Sequence, residues 1–354
     1  MKARLTKLRD FLTKQNLDAV IITKAENRQY FSGFSGTSGA LVVTNADARL
    51  ITDFRYIEQA KNQAQYFLID EHGNSLLQKV AEVLHELNAT KIGFEGDSFT
   101  YNEFSMLVEY LKHDKLKPIG LDQLRVVKDN KEIELIKKAV EISDQAFLHI
   151  LKVIKPGVSE LMVAAELEHC MRKLGAEKPA FDTIVASGER GSLPHGLASD
   201  KIIIDGDFVT MDFGAVYQGY HSDITRTVCV GKASEKQRLL YDIVLKAQMM
   251  GVDLVKVGQS GKDVDADVRR YIMNAGYGKF FGHGLGHGVG LAIHELPRLS
   301  PSSSCDCLEE NMVVTVEPGI YLPGFGGVRI EDTVLVTAQG AEILTKSSKQ
   351  LIEI

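Results

Sequence analysis

No stretch of this chain approaches the roughly 18 consecutive apolar residues that a membrane-crossing helix requires, so a helical membrane protein is excluded. Cysteine is scarce. Four of them, Cys170, Cys229, Cys305 and Cys307, are too few for a disulfide scaffold. The Cys-x-Cys pair at 305 and 307 has no second pair to complete a zinc site, and reduced thiols are what this usage implies. Charge of one sign is nowhere concentrated. The formal net charge is -6, and without a clustered basic face nucleic-acid binding is not expected. The segment Met1-Lys2-Ala3-Arg4-Leu5 runs into an amphipathic pattern without the apolar stretch of a signal peptide, so a cytoplasmic protein is expected. Repeats, low-complexity tracts and Pro/Ser-rich linkers are absent as well.

What is present is 354 residues, 44% of them apolar, enough for one large or two ordinary domains with real cores. Residues 1–125 read as an α/β unit. Helical spacing at Lys7–Gln15, Leu76–Leu87 and Asn102–Leu111 alternates with strand-like Ala19–Ile22, Ala40–Val43, Arg49–Ile51 and Lys91–Phe94. The turn-prone Thr44-Asn45-Ala46-Asp47 separates two of these strands. Such alternation favours a sheet covered by helices. A second unit, residues 126–354, opens near Asp129. Apolar residues from Ile133 to Ile154 recur mostly at three- and four-residue intervals, a long amphipathic helix ended by Pro156-Gly157. Ser159 offers an N-cap for the next helix, which runs to Gly175. Ser234 and Gln237 form a capping box for a third, reaching toward Gly258. Between and after these helices the pattern is one of hairpins.

The chemistry concentrates between His195 and Glu331. Phe208 to Thr225 reads as a strand, a tight turn at Gln218-Gly219 and a returning strand. That turn places Asp212 opposite Thr225 and makes Asp223 its diagonal neighbour on the same face. Met211, Phe213 and Ile224 take the other face. A second hairpin repeats the arrangement: Glu317 and Glu331 are equidistant from Gly324, so a loop centred there sets them across from each other. Between the hairpins lies Gly282-His283-Gly284-Leu285-Gly286-His287-Gly288-Val289-Gly290, with His294 shortly after, and its glycines permit close backbone approach. Taken singly, each acid also reads as an ordinary strand-end residue and each histidine as a packing residue. The conjunction points to metal. Four carboxylates brought together repel, and two divalent cations balance them. Oxygen ligands with one imidazole suit Mn²⁺, Co²⁺ or Fe²⁺ better than a thiolate-type zinc site. Such an ion pair holds a hydroxide at neutral pH and polarises a carbonyl.

Asp212-x10-Asp223, followed by His287, Glu317 and Glu331, resembles the five-ligand pattern of the pita-bread metallopeptidases. The phrases Ser192-Leu193-Pro194-His195-Gly196, Ser222-Asp223-Ile224-Thr225-Arg226-Thr227, Thr315-Val316-Glu317-Pro318-Gly319 and Gly327-Val328-Arg329-Ile330-Glu331-Asp332 resemble the proline-specific branch, aminopeptidase P and prolidase. Around Phe31 to Gly36 and Ile51 to Tyr56, the N-terminal unit resembles the extra domain of that branch.

The resemblance implies an α+β architecture: an N-terminal α/β domain (1–125), then a pita-bread catalytic domain (126–354) with a curved antiparallel sheet and flanking helices. It implies two divalent ions per chain, Mn²⁺ foremost with Co²⁺, Fe²⁺ or Zn²⁺ as alternatives. Asp212 would bind one metal through both oxygens, His287 and Glu317 the other, with Asp223 and Glu331 bridging. Glu317 would also take the proton of the attacking water. His195 and His294 would face the scissile carbonyl and the developing oxyanion. His283 would line the proline side, and Arg329 would orient acids or substrate through bidentate hydrogen bonds.

The implied reaction is cleavage between an N-terminal residue and a following proline, by a homodimer acting on short peptides. Because an Xaa-Pro amide has no N–H, it needs a dedicated pocket. A prolidase restricted to dipeptides is the alternative, and it would need a wall or charge that reads the substrate's C-terminal carboxylate. A methionine aminopeptidase ordinarily lacks the extra N-terminal domain, and creatinase-like members lose the ligand set. The remaining alternative, a pita-bread binding module without activity, has decayed ligands, whereas all five are intact here.

Overall fold

The computed structural model describes residues 1–112, 115–303 and 307–354, so Cys305 lies outside the described residues. It divides into two compact units, Met1–Arg125 and Val126–Ile354.

The first unit contains helices α1 (Lys2–Gln15), α2 (Ala25–Ser32), α3 (Ile57–Gln63), α4 (Leu76–Glu86) and α5 (Tyr101–Leu111). Its strands are β1 (Ala19–Ile22), β2 (Ala40–Thr44), β3 (Ala48–Thr52), β4 (Leu68–Glu71), β5 (Ile92–Glu95) and β6 (Leu116–Ile119), in the spatial order β4-β3-β2-β1-β5-β6. β1 is wholly buried between an antiparallel and a parallel neighbour, as a continuous apolar run of four demands. The Thr44 hydroxyl accepts from the Ala46 and Asp47 amides and so makes the β2–β3 turn. α4 lays Leu77, Val80, Ala81 and Leu84 into the core. Helix α2 escaped the sequence reading because its buried side carries Asn27 and Arg28 among the apolar residues, which breaks the amphipathic pattern.

The second unit contains α6 (Asn130–Ile150), α7 (Glu160–Lys173), α8 (Glu235–Leu254) and α9 (Gly261–Asn274). α6 starts on an Asp129–Glu132 capping box, α7 on Ser159 and α8 on a Ser234–Gln237 capping box. Two expectations are corrected. α6 ends at Ile150 rather than near Ile154; the apolar spacing persists because Ile154 stays buried after the backbone has left the helix. After α8 the chain forms another helix before the hairpins: Val264, Val268 and Ile272 at four-residue intervals bury one face of α9.

Thirteen further strands are described: β7 (Lys178–Pro179), β8 (Ile184–Ser187), β9 (Phe208–Phe213), β10 (Ala215–Tyr217), β11 (Tyr220–His221), β12 (Ile224–Cys229), β13 (Gly286–Gly288), β14 (Glu295–Leu299), β15 (Val313–Val316), β16 (Gly319–Leu322), β17 (Gly326–Arg329), β18 (Asp332–Thr337) and β19 (Gly340–Ile343). They pair antiparallel in the orders β12-β9-β8, β14-β13-β15-β18-β19, β16-β17 and β11-β10-β7. One apolar core joins α6 and α7 to β8, β9 and β12, and a second joins α8 and α9 to β15–β18. This is the α+β pita-bread architecture. The helices cover one face of the strands and leave the other to polar residues.

Candidate metal centre

The first hairpin forms in the expected register. Thr225 pairs with Asp212 and Ile224 with Phe213, and the turn residues Gln218 (φ 48°) and Gly219 (φ 81°) both take the left-handed conformation a tight hairpin requires. Met211, Phe213 and Ile224 pack into the α6–α7 core. Asp223 lies just ahead of β12, where the ladder is interrupted; a side chain at Gly214 would meet the Ser222 carbonyl at 1.9 Å, so only glycine fits there. Thr225 is more than a neighbour on this face. Its hydroxyl donates to Glu331 Oε2 at 2.6 Å and receives Arg329 Nε at 3.1 Å.

Glu317 and Glu331 occupy a break in the second hairpin. Val316 pairs with Asp332 on one side and Gly319 with Arg329 on the other, so the two glutamates face each other in the gap. Released from mutual pairing, their amides turn outward. Glu317 N–H donates to the Leu285 carbonyl at 2.8 Å, and Glu331 N–H donates to the Thr225 carbonyl at 3.1 Å. The second donation stitches the hairpins together, aided by Thr333 Oγ1 donating to the Asp223 carbonyl at 2.8 Å. His287 enters from β13 with its Nε2 3.5 Å from Asp223 Oδ2 and 3.4 Å from Glu317 Oε1.

Asp223, His287 and Glu331 are buried and offer ligand atoms that all lie within 4.8 Å of one another. Burial, and then the Glu331, Asp212 and Glu317 charges, holds the Asp223 carboxyl well above the usual carboxylate range. Burial, then Glu317 and Asp212, does the same to Glu331, and burial pushes Glu317 up to about 8 against the pull of Arg329. His287 is driven the other way, down to about 3, by burial and by His294 beside it. Its imidazole is therefore neutral at physiological pH and has a lone pair to give. Asp212 Oδ1 and Glu331 Oε1 are buried with no hydrogen-bond partner among the described residues. An orphaned buried acceptor costs about 1–3 kcal/mol. Divalent cations fit this donor set, since positive charge here would remove the mutual repulsion and meet the unsatisfied oxygens.

All nine residues singled out in the sequence line one cavity of about 640 Å³. His294 stacks edge-on against His287 with ring centroids 4.3 Å apart, and burial with Arg298 lowers its pKa. His195 projects from the loop after β8 into the same cavity. His283 is held down to about 4 by burial, and its Nε2 lies 2.7 Å from the Tyr321 hydroxyl. Arg329 divides its fork rather than clamping one acid bidentately: Nη2 donates to Asp212 at 2.6 Å, Nη1 to Tyr321 at 2.9 Å and to the Pro194 carbonyl at 3.3 Å. Among the other residues of this cavity, Tyr321 and Arg298 carry chemistry that sequence reasoning missed. Tyr321, pushed up to about 12 by burial, joins His283 to Arg329, and its position in an apolar strand disguised it as core. Arg298 alternates with buried residues on β14, which is the pattern of an ordinary exposed strand residue.

Residues 134–338 match metallopeptidase family M24, and residues 4–127 match the creatinase/prolidase N-terminal domain. The chain belongs to metallopeptidase family M24, enzymes that hydrolyse peptide bonds with divalent metal. It is 47% identical to an Xaa-Pro dipeptidase structure from Bacillus anthracis, covering 100% of this chain and 99% of that one with a TM-score of 0.97. An X-Pro aminopeptidase structure from Thermotoga maritima is 41% identical over 96% of this chain and 98% of the other, with a TM-score of 0.90. The Xaa-Pro dipeptidase of Pyrococcus furiosus is 45% identical over 99% of this chain and 100% of its own. Among the described residues, no helix is long and apolar enough to cross a membrane.

Proposed function

We propose that this chain is an Xaa-Pro aminopeptidase, cleaving the bond between an N-terminal residue and a following proline in short peptides. The observation that carries the reading is the buried cluster of Asp223, His287 and Glu331, with Asp212 and Glu317 on the same cavity wall, in which two carboxylate oxygens have no hydrogen-bond partner among the described residues. Relatives bearing Xaa-Pro peptidase names along the whole chain support the proline preference.

In this reading Asp212, Asp223, His287, Glu317 and Glu331 would hold two divalent ions, Mn²⁺ foremost on the resemblance, with Co²⁺, Fe²⁺ or Zn²⁺ as alternatives. Such ions, when bound, would let the carboxylates ionise together and would supply an activated water and polarisation of the scissile carbonyl. Glu317 is the base that accepts the water's proton and the acid that returns it to the departing proline nitrogen. His195 and His294 donate toward the carbonyl oxygen as it gains charge. Arg329 holds Asp212 in place through its hydrogen bond, with Tyr321 and His283 behind it. Residues 1–125 and 126–354 are the two domains, and the second carries all of this chemistry. Cytoplasmic location, resting on the cysteine usage, and a homodimer, resting on the sequence resemblance, complete the reading; sedimentation of the purified protein tests the second.

The deciding experiment starts from metal-stripped protein, reconstituted separately with Mn²⁺, Co²⁺ and Zn²⁺ and offered Xaa-Pro-Yaa peptides. About two ions per chain and cleavage confined to the bond before proline are expected. Full activity with one tightly held ion, or indifference to proline, overturns it.

Arg298 favours a second reading, that of a dipeptidase. It is exposed on the cavity wall, paired in register with His287, and has no ion-pair partner among the described residues. A guanidinium so placed suits the carboxylate of an Xaa-Pro dipeptide. If Arg298→Ala raises KM for Xaa-Pro far more than for Xaa-Pro-Yaa, and the parent prefers the former, the dipeptidase reading replaces the first.

A further inference from the structure

Glu160 is the first residue of α7 and is completely buried, yet it belongs to neither the metal cluster nor the cavity wall. Both of its oxygens are fully used. Oε1 accepts from the Ser187 amide at 2.7 Å and the Ser187 hydroxyl at 2.9 Å. Oε2 accepts from Arg190 Nε at 3.0 Å, the Ser199 amide at 3.1 Å and the Ser199 hydroxyl at 2.7 Å. Ser187 and Ser199 are the two ends of the segment that carries His195. One carboxylate thus gathers both ends of that loop with five charge-assisted hydrogen bonds, the strong kind in a water-free setting.

The loop is closed from inside as well. Arg190 reaches on to the Leu197 carbonyl at 2.6 Å, and Leu197 bridges back to Ile184 on β8. At the tip, Arg329 donates to the Pro194 carbonyl, the residue just before His195. The His195 ring itself makes no hydrogen bond among the described residues. Its aim is therefore set by the backbone that carries it, and that backbone is tied to Glu160 at the base and to Arg329 at the tip.

We infer that Glu160 is a positioning residue for the reaction: it anchors the Ser187–Ser199 loop so that His195 presents its imidazole to the substrate carbonyl. This rests on the reading of His195 given above. A purely structural role would cost stability without changing turnover per folded molecule. A positioning role is different, because misplacing a catalytic donor by about 1 Å lowers turnover on the order of 10²-fold.

The test uses full-length, metal-loaded protein and four variants: Glu160→Gln, Ser199→Ala, His195→Ala and the Glu160→Gln/His195→Ala double. Expected for Glu160→Gln is a fall in kcat of roughly 10²-fold with KM and metal content close to the parent's, and a shifted His195 ring resonance in the NMR spectrum. The double variant should be no slower than His195→Ala alone, since there is no longer an imidazole to misplace. Losses that multiply in the double variant, or an unchanged kcat with only a lowered melting temperature, overturn the inference. Should Glu160→Gln not fold, Ser199→Ala decides on the same readouts: a smaller fall in kcat supports the anchor, and an unchanged kcat overturns it. A harmless His195→Ala removes the underlying reading of His195 and this inference with it. A damaging His195→Ala beside a harmless Glu160→Gln removes the inference alone.

Discussion

In the proposed metal centre, Asp223 is the residue that a single substitution tests best. It is buried within 4.8 Å of ligand atoms from His287 and Glu331, and burial together with the neighbouring carboxylates opposes its charge. Asp223→Asn is nearly isosteric, so the fold should persist with a circular dichroism spectrum close to the parent's. The amide replaces a charged oxygen, however, and near-total loss of Xaa-Pro cleavage with at least one ion lost is expected by elemental analysis. Retained activity and full metal content would break the assignment. Thr225 lies on the same face, and by spacing alone it is a bystander. In the fold its hydroxyl is the donor to Glu331 Oε2, so Thr225→Val leaves a buried carboxylate oxygen unsatisfied. A loss of about 1–3 kcal/mol in urea unfolding follows.

At the scale of elements, the strands that line the cavity are held by buried polar ties. β14 begins at Glu295, immediately after His294, and there Lys128 pairs with it at 2.5 Å with both side chains almost fully buried. Lys128 reaches this point from just ahead of α6, where its own amide donates to the Asn311 carbonyl. Removing one partner of a buried pair takes from the other its opposite charge. Lys128→Met should therefore cost about 3–5 kcal/mol in denaturant unfolding, with much of that recovered in Lys128→Met/Glu295→Leu. Equal losses in the single and double variants would show that the packing of Lys128, and not its charge, holds β14.

Over the whole molecule, the carboxylates give stability a pH dependence that metal controls. Glu317, Asp223 and Glu331 titrate higher in the folded chain than when unfolded, where such groups titrate near 4. Without metal, the folded state keeps protons that the unfolded state releases. The stability these three groups contribute is therefore greatest at low pH and is lost as pH rises from about 4 to about 8. His287 and His283, held down to about 3 and about 4, act oppositely, but only below about 6.5, where an unfolded histidine becomes charged. Between pH 6.5 and 8 the carboxylates dominate. Metal-stripped protein should melt at a lower temperature at pH 8 than at pH 6.5, and Mn²⁺ should raise the melting temperature and abolish that slope. A flat or rising profile for the stripped protein in calorimetry would contradict this.

Local pattern was sufficient for a good part of the result. Serine and aspartate caps mark the starts of α6, α7 and α8 because a cap is a contact between residues three apart. The registers that bring Asp212 opposite Thr225, and Glu317 opposite Glu331, follow from turn positions and the two-residue period of a strand. The sequence by itself therefore determined which acids share a face, while the resemblance supplied the histidines. It could not determine what holds them. Thr225 with Glu331, Arg329 with Asp212, Lys128 with Glu295 and Glu160 with the His195 loop are joined across tens to more than a hundred residues. Only the tertiary structure decided those pairs, because a buried polar group takes whichever partner packing brings within hydrogen-bond distance, and no periodicity along the chain encodes that choice.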